Sequence, residues 1–204
     1  MNKTRSPILD IKLLALVGAM LCLSASAQLA PLPPMNLGIV SLSQPQTAST
    51  VAVTSFLASS AIKNNYTGTL GIQFTCNSSI HVIALGRTNL SGNTGNHTLY
   101  LYDKTANSIL ASVTISTGAG TAGTVVYGNI TSTALGTSHT YAVVSSETTS
   151  GDSWYDQSLC GMTGVFVAAN IYAYYDSTPP NGGGATGGQP PGSYVPVNFK
   201  YTTP

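Results

Sequence analysis

Charge is what this chain has least of. Of its 204 residues only 6% are charged, seven Lys and Arg against six Asp and Glu, whereas a soluble domain typically carries about a quarter. Seven cations cannot build the basic stripe that displaces counterions from a nucleic acid. Acidic tails, charged coiled coils and charge-rich disorder are excluded on the same ground. Tryptophan occurs once, and the three Cys and three His show neither C-x-x-C nor H-x-x-x-H spacing, so no zinc site is indicated. Beyond residue 27 no window holds a helical period over ten residues, which argues against a helical fold. What is abundant is Gly (21), Tyr (11), Ser, Thr and Asn, the composition of a neutral extracellular β-protein. The length allows one domain, or at most a small pair, with ample room for a core.

Residues 1–27 read as a signal peptide. Lys3, Arg5 and Lys12 form a basic start, an apolar run of eleven extends from Leu13 to Leu23, and Ala25-Ser26-Ala27 supplies a small-residue cleavage site. Eleven apolar residues are too few to span a bilayer, which takes ~20. An uncleaved signal anchor is the competing reading. A lipoprotein is not indicated, because Leu21 precedes Cys22 where a small residue is required. The expectation is a secreted protein, extracellular or at a cell surface, with no membrane span after cleavage. Removal of the signal leaves four cations against five acids, a net charge of −1. It also leaves Cys76 and Cys160 as an even pair, for which a disulfide is the default in an oxidising compartment; buried free thiols are the alternative. Such a bridge would close a loop of more than eighty residues and contribute about 4–5 kcal/mol.

Residues 28–50 begin as a proline-rich extended leader and include a first candidate strand at 37–42. Further β-type runs lie at 51–57, 70–76, 80–85, 98–102, 109–116, 124–129, 139–145, 165–175 and 194–201, separated by Gly, Asn and Ser turns. Alternation is clearest in Thr98-Leu99-Tyr100-Leu101-Tyr102, which puts Leu and Tyr on opposite faces. This spacing predicts an all-β chain: a single-domain, two-sheet antiparallel sandwich of jelly-roll type over residues 51–204. The Gly/Pro tract at 178–193 resembles a linker, but only eleven residues with a strand pattern come after it. An isolated strand is not stable, so the tract is expected to be a long mobile loop within the domain.

Chemistry concentrates in one segment, Ser145 to Asp156. It holds Glu147, Asp152 and Asp156, three of the five acids left after the signal, together with Trp154 and Tyr155. As a sugar site, the aromatic rings would cover a pyranose face while the carboxylates accept from hydroxyls. As a calcium site, the three carboxylates would join Ser and backbone oxygens, although the spacing is not that of an EF-hand loop. As structure, Trp154 would plug one end of the sandwich while the acids satisfy turn donors. Glycoside hydrolysis would need two of these carboxylates about 5–10 Å apart across a cleft. A Ser-His-Asp triad is not indicated, since there is no G-x-S-x-G elbow. His81, His97 and His139 sit in or beside strands and read as sheet residues. Asn65, Asn77, Asn89, Asn96 and Asn129 occupy N-x-[ST] sequons, glycan acceptors in a eukaryotic secretory host.

Leu70-Gly71-Ile72-Gln73-Phe74-Thr75, Leu85-Gly86-Arg87, Gly95-Asn96-His97-Thr98-Leu99, the ET-x-x-GD-x-WYD run ending at Asp156, and Pro196-Val197-Asn198-Phe199-Lys200-Tyr201 carry a resemblance. Together they make residues 52–201 similar to a group of secreted bacterial β-sandwich domains that often lie beside glycoside hydrolases. The resemblance implies binding of carbohydrate or a cell-surface polymer by association. The expected function is therefore non-catalytic glycan binding through Glu147, Asp152, Trp154, Tyr155 and Asp156, with no cofactor required and calcium left open. The alternative is a structural or adhesive surface protein that self-associates through free strand edges.

Overall fold

The computed structural model describes residues 48–204 except 58–60, 157, 189 and 195–196. The expected signal peptide, the leader and the candidate strand at 37–42 lie outside the described residues. In chain order the strands are β1 (Thr50–Val51), β2 (Val53–Leu57), β3 (Ile62–Lys63), β4 (Gly68–Thr75) and β5 (Ile80–Thr88). Then come β6 (Asn96–Asp103), β7 (Ser108–Ser116), β8 (Val125–Leu135), β9 (Thr140–Glu147) and β10 (Trp154–Tyr155). The last are β11 (Ser158–Met162), β12 (Tyr172–Asp176), β13 (Ala185–Gly187), β14 (Gly192–Ser193) and β15 (Val197–Thr202).

One sheet is ordered β1-β15-β5-β8 and the other β13-β12-β4-β9-β6-β7, with every pair antiparallel. Counting only β1, β4, β5, β6, β7, β8, β9 and β15, the first, eighth, third and sixth strands share one sheet. The second, seventh, fourth and fifth share the other, which is jelly-roll connectivity. β12 and β13 extend the second sheet beyond β4, and β14-β11-β2 and β10-β3 form two smaller sheets.

Alternation builds the core. Leu70, Ile72 and Phe74 on β4, Leu99 and Leu101 on β6, and Val143 on β9 meet Ile80, Val82 and Leu85 of β5 and Val197 and Phe199 of β15. Phe74 stacks on Phe199 at 5.0 Å between ring centroids, and Phe166 meets both edge-on. Each such side chain, fully buried, contributes about 1.5–3 kcal/mol. The Tyr residues of β6 point the other way, as the alternation predicts. Tyr102 packs with Ala142, Val144 and Tyr174 in a separate cluster on the outer face of the larger sheet. Asn198, buried on β15, acts as a piece of strand: its amide takes Val53 N–H on Oδ1 and donates from Nδ2 to the Val53 carbonyl, both at 2.9 Å.

Three expectations are corrected. The run at 165–175 is not one strand: it turns at Phe166, makes a single 3-10 turn at Ala168–Asn170, and becomes β12 only at Tyr172. The turn bridges Phe166 to Cys76 and delivers the Phe166 ring into the core, which a continuous strand would not do.

The Gly/Pro tract is not a free loop. It supplies β13 and β14, and its start is gathered on the buried Asp176 carboxylate, which accepts from Ser177, Asn181 and Gly182 N–H and from the Tyr174 hydroxyl. Gly182 (φ +87°) lies against the outer Tyr cluster, where a Cβ would come within 3.0 Å of Tyr102 Oη. Only glycine combines that dihedral with that space.

Cys76 and Cys160 are separate buried thiols, not a bridge. Cys76 comes directly after β4 in one sheet and pairs with Phe166; Cys160 lies on β11 and pairs with Phe56. Burial raises both thiol pKa values to about 12. Neither should therefore react with a thiol reagent in native protein, and both should react in concentrated guanidinium without reductant. Mass-spectrometric counting of labels on these two cysteines checks this; no labelling after unfolding would restore the bridge.

Candidate functional site

The segment from Glu147 to Asp156 is anchored at its two buried residues, Glu147 and Trp154, with residues 148–151 exposed between them. Glu147 closes β9 and has no exposed side-chain surface, nor has its partner Arg87 on β5. Arg87 Nε donates to Glu147 Oε1 at 3.0 Å and Nη2 to Oε2 at 3.2 Å, a bidentate pair. Two further guanidinium donors reach the Thr88 and Ser153 carbonyls, and Ser145 Oγ donates to Glu147 Oε1 at 2.7 Å. Every group of the pair therefore has partners, which a buried ion pair requires.

A second ion pair lies beside the first. Asp152 accepts from Thr94 and Gly95 N–H, from the Thr117 hydroxyl and from His97 Nε2 at 3.0 Å. Burial pushes the Asp152 pKa up, but these four donors outweigh it and hold the carboxyl at about 2. His97 Nδ1 lies 2.6 Å from the Ser146 carbonyl oxygen. Both ring nitrogens thus face groups that only accept, so His97 must donate from both and is an imidazolium. Burial lowers its pKa, yet Glu147, 3.4 Å away, and Asp152 outweigh both that and the nearby Arg87, leaving it above the ordinary value. Asn93 completes the clamp by pairing its side-chain amide with both backbone groups of Ser153 at 2.9 Å.

The clamp also places the next stretch of chain. Trp154, 2% exposed, joins the main core and pairs with Lys63 in the β10-β3 ribbon, while Tyr155 pairs with Ile62. Of the five residues expected to bind ligand, Glu147 and Asp152 are engaged in the clamp and Trp154 presents no ring face. Tyr155 packs beside Phe56 with ring centroids 6.2 Å apart. Asp152, with His97, also lines a surface hollow of about 450 Å³ beside the turn, and Asp156 lies at a rim, 2.5 Å from Lys63 Nζ. The three carboxylates are thus parted among Arg87, His97 and Lys63, and do not form a calcium ligand set. Among the described residues no group of three His, Cys, Asp or Glu is placed to hold a metal ion. Glu147, sealed from solvent, cannot serve as one of two carboxylates facing a cleft.

What the clamp supports is a hollow on the neighbouring surface. It measures about 300 Å³, and Tyr66, Tyr175 and Tyr194 form its aromatic wall over Leu70 and Trp154. Asn65 and the Lys63–Asp156 pair supply its polar groups. The three tyrosines meet edge-to-face, Tyr66 to Tyr175 at 6.3 Å and Tyr175 to Tyr194 at 5.9 Å. Tyr175 is 37% exposed, unusual for a large apolar residue here. The Tyr66 hydroxyl donates to the Asp176 carbonyl at 3.0 Å, which orients the ring.

Sequence reasoning placed Trp154 and Asp156 here and missed Tyr66, Tyr175, Tyr194, Lys63 and Asn65. Those five come from three distant stretches, and the signal that could have found them was the Tyr-rich β12 next to the Gly/Pro tract. Of the sequon asparagines, Asn65 is exposed at this hollow, whereas Asn89 is buried.

Comparison with known proteins adds no assignment. A scan against protein-family models finds no match, and no curated protein matches the chain.

The clamp itself is testable. Arg87→Ala, which leaves Glu147 buried and unpaired, should cost about 3–5 kcal/mol in denaturant unfolding. His97 stabilises fully below its ordinary pKa of 6.5 and loses that contribution as pH rises through its raised folded-state value. Asp152 stabilises above 3.8 and loses its contribution as pH falls toward about 2. Stability should therefore be greatest between 3.8 and 6.5. His97→Gln should flatten the alkaline limb and, because His97 is one of the four donors on Asp152, also weaken the acid limb without abolishing it. Denaturant midpoints measured across pH check this, and a wild-type curve flat above neutrality would contradict the charged imidazole.

Proposed function

We propose that this chain is a secreted, non-catalytic module that binds neutral glycan in the tyrosine-lined hollow. The observation that carries the reading is the combination of the Tyr66–Tyr175–Tyr194 wall with Asn65, Lys63 and Asp156 around one hollow of about 300 Å³. A pyranose ring is apolar on its C–H face and polar at its edge, so an aromatic wall with a hydrogen-bonding rim suits it. Lys63 and Asp156 neutralise each other, which favours hydroxyls over charged ligand groups. The resemblance to secreted bacterial β-sandwich domains and the signal-like first 27 residues support the extracellular setting.

The rim is preorganised. Lys63 and Asp156 are tied through the β10-β3 ribbon, and Tyr66 through its bond to the Asp176 carbonyl. Side chains already held in place lose less freedom on binding, which lowers the cost of ordering them.

Retention on a panel of insoluble polysaccharides, with melting temperature as the control for folding, tests the reading. Tyr175→Ala and Tyr194→Ala should each weaken binding by about tenfold or more, the equivalent of ~1.4 kcal/mol. Tyr155→Ala, on the opposite face of β10, should bind like wild type. The idea fails if the folded protein is retained by none of the polymers, or if Tyr155→Ala costs as much as Tyr175→Ala.

A further inference from the structure

Tyr66 and Tyr175 line more than one hollow. They also line a second, of about 380 Å³, whose remaining wall is Asp176, Ser177, Asn181, Gly183 and Gly184. The two hollows share this tyrosine pair in their linings. Their chemistry differs. The first is walled by Tyr194, Leu70 and Trp154 as well as the shared pair, whereas the second offers a hydroxyl, an amide and exposed backbone from the start of the Gly/Pro tract.

Building on the glycan reading, we infer that the natural ligand is a chain of at least two neutral sugar rings lying across the Tyr66–Tyr175 pair, one ring in each hollow. Each hollow is near the lower end of the range for small-molecule sites, about 300–1,000 Å³. A single ring seated in either would leave the other hollow empty. A chain fills both, and its second ring is bound without a second loss of translational freedom.

The second hollow is built, not incidental. The Asp176 carboxylate that gathers Ser177, Asn181 and Gly182 sets its shape. At Gly184 a Cβ would fall 2.1 Å from the Tyr175 carbonyl and 2.7 Å from Tyr174 Oη, so no larger residue fits there without moving backbone. Charge argues for neutral rings in both positions. Asp176 has its oxygens occupied by Tyr174 and the tract, and Lys63 is held by Asp156. Among the described residues, neither hollow is lined by an unpaired cation that would take a uronate or a sulfated sugar.

Gly183 provides the discriminating variant, because a Cβ there would meet only Asn181 Oδ1, at 3.1 Å. NMR titration would use oligosaccharides of one to four rings prepared from cellulose, chitin, starch and any other polymer the protein retains. Affinity should rise by about tenfold or more between one ring and two. Gly183→Leu should bring the longer chains down to the single-ring value at an unchanged melting temperature. Equal affinity for one ring and for chains, or a length dependence indifferent to Gly183→Leu, overturns the two-ring inference and leaves the glycan reading intact. If neither polymer nor oligosaccharide binds, the glycan reading itself fails.

Discussion

Arg87 and Glu147 meet in a part of the protein with no solvent, and satisfying them shapes much of the surrounding structure. Taking both ions out of water costs several kcal/mol each, and their attraction offsets this only where the geometry is good and the spare donors and acceptors are used. Here two spare donors of Arg87 reach backbone carbonyls, one of them Ser153. That contact, with the Asn93 amide on both sides of Ser153, fixes the turn from Thr148 to Ser153. Once the turn is fixed, Trp154 has one place to go, and β10 meets β3 in one register. Hydrophobic replacements often match a buried ion pair in stability, but here they would remove one of the two side-chain donors on the Ser153 carbonyl, leaving it to Asn93 alone. What the pair supplies is direction.

The scarcity of charge takes on a definite meaning at this level. Nine charged side chains lie beyond residue 27, and all have a structural partner. Arg87 holds Glu147, His97 holds Asp152, Lys63 holds Asp156, and His139 meets Asp103 at 2.6 Å. Asp176 gathers the tract, Lys104 lies over the Tyr174 ring and bonds Gln73, and Lys200 lies over Tyr127. Charge here works as internal fastening. A surface whose ions are already matched has little with which to attract a charged partner from a distance.

The β-sandwich and the opposed faces of β6 were legible because period-two alternation is a local property: Leu99 and Leu101 carry it beside Tyr100 and Tyr102. The break at Phe166 was not, because it depends on a bridge to Cys76 ninety residues earlier, and an apolar run does not reveal where it must turn. Acids clustered near Trp154 marked a segment that matters, yet clustering cannot distinguish carboxylates that face water from carboxylates that face Arg87 and His97. Those partners lie about fifty to sixty residues away, in β5 and β6. The tyrosine hollow was harder still, since Tyr66, Tyr175 and Tyr194 become neighbours only when β12 joins β4 and the tract folds back. Its one local trace was the density of Tyr at Tyr172, Tyr174 and Tyr175.

The same geometry explains why a glycine-rich tract can wall a hollow without loosening it. Gly loses more backbone freedom on folding than other residues, so an ordered tract of this kind has to be held by specific contacts. Asp176 provides them at one end through backbone N–H groups, and pairing of β13 to β12 and β14 to β11 provides them further along. In exchange, the absence of side chains at Gly183 and Gly184 leaves open space beside Tyr66 and Tyr175 that larger residues would fill. Tyr194 then enters the hollow immediately after β14, its position set by the ladder before it and by its N–H bond to the Gly71 carbonyl at 3.2 Å. The composition that resembles a linker therefore acts as a mould. It is ordered by a few polar anchors, and it is kept thin beside Tyr66 and Tyr175.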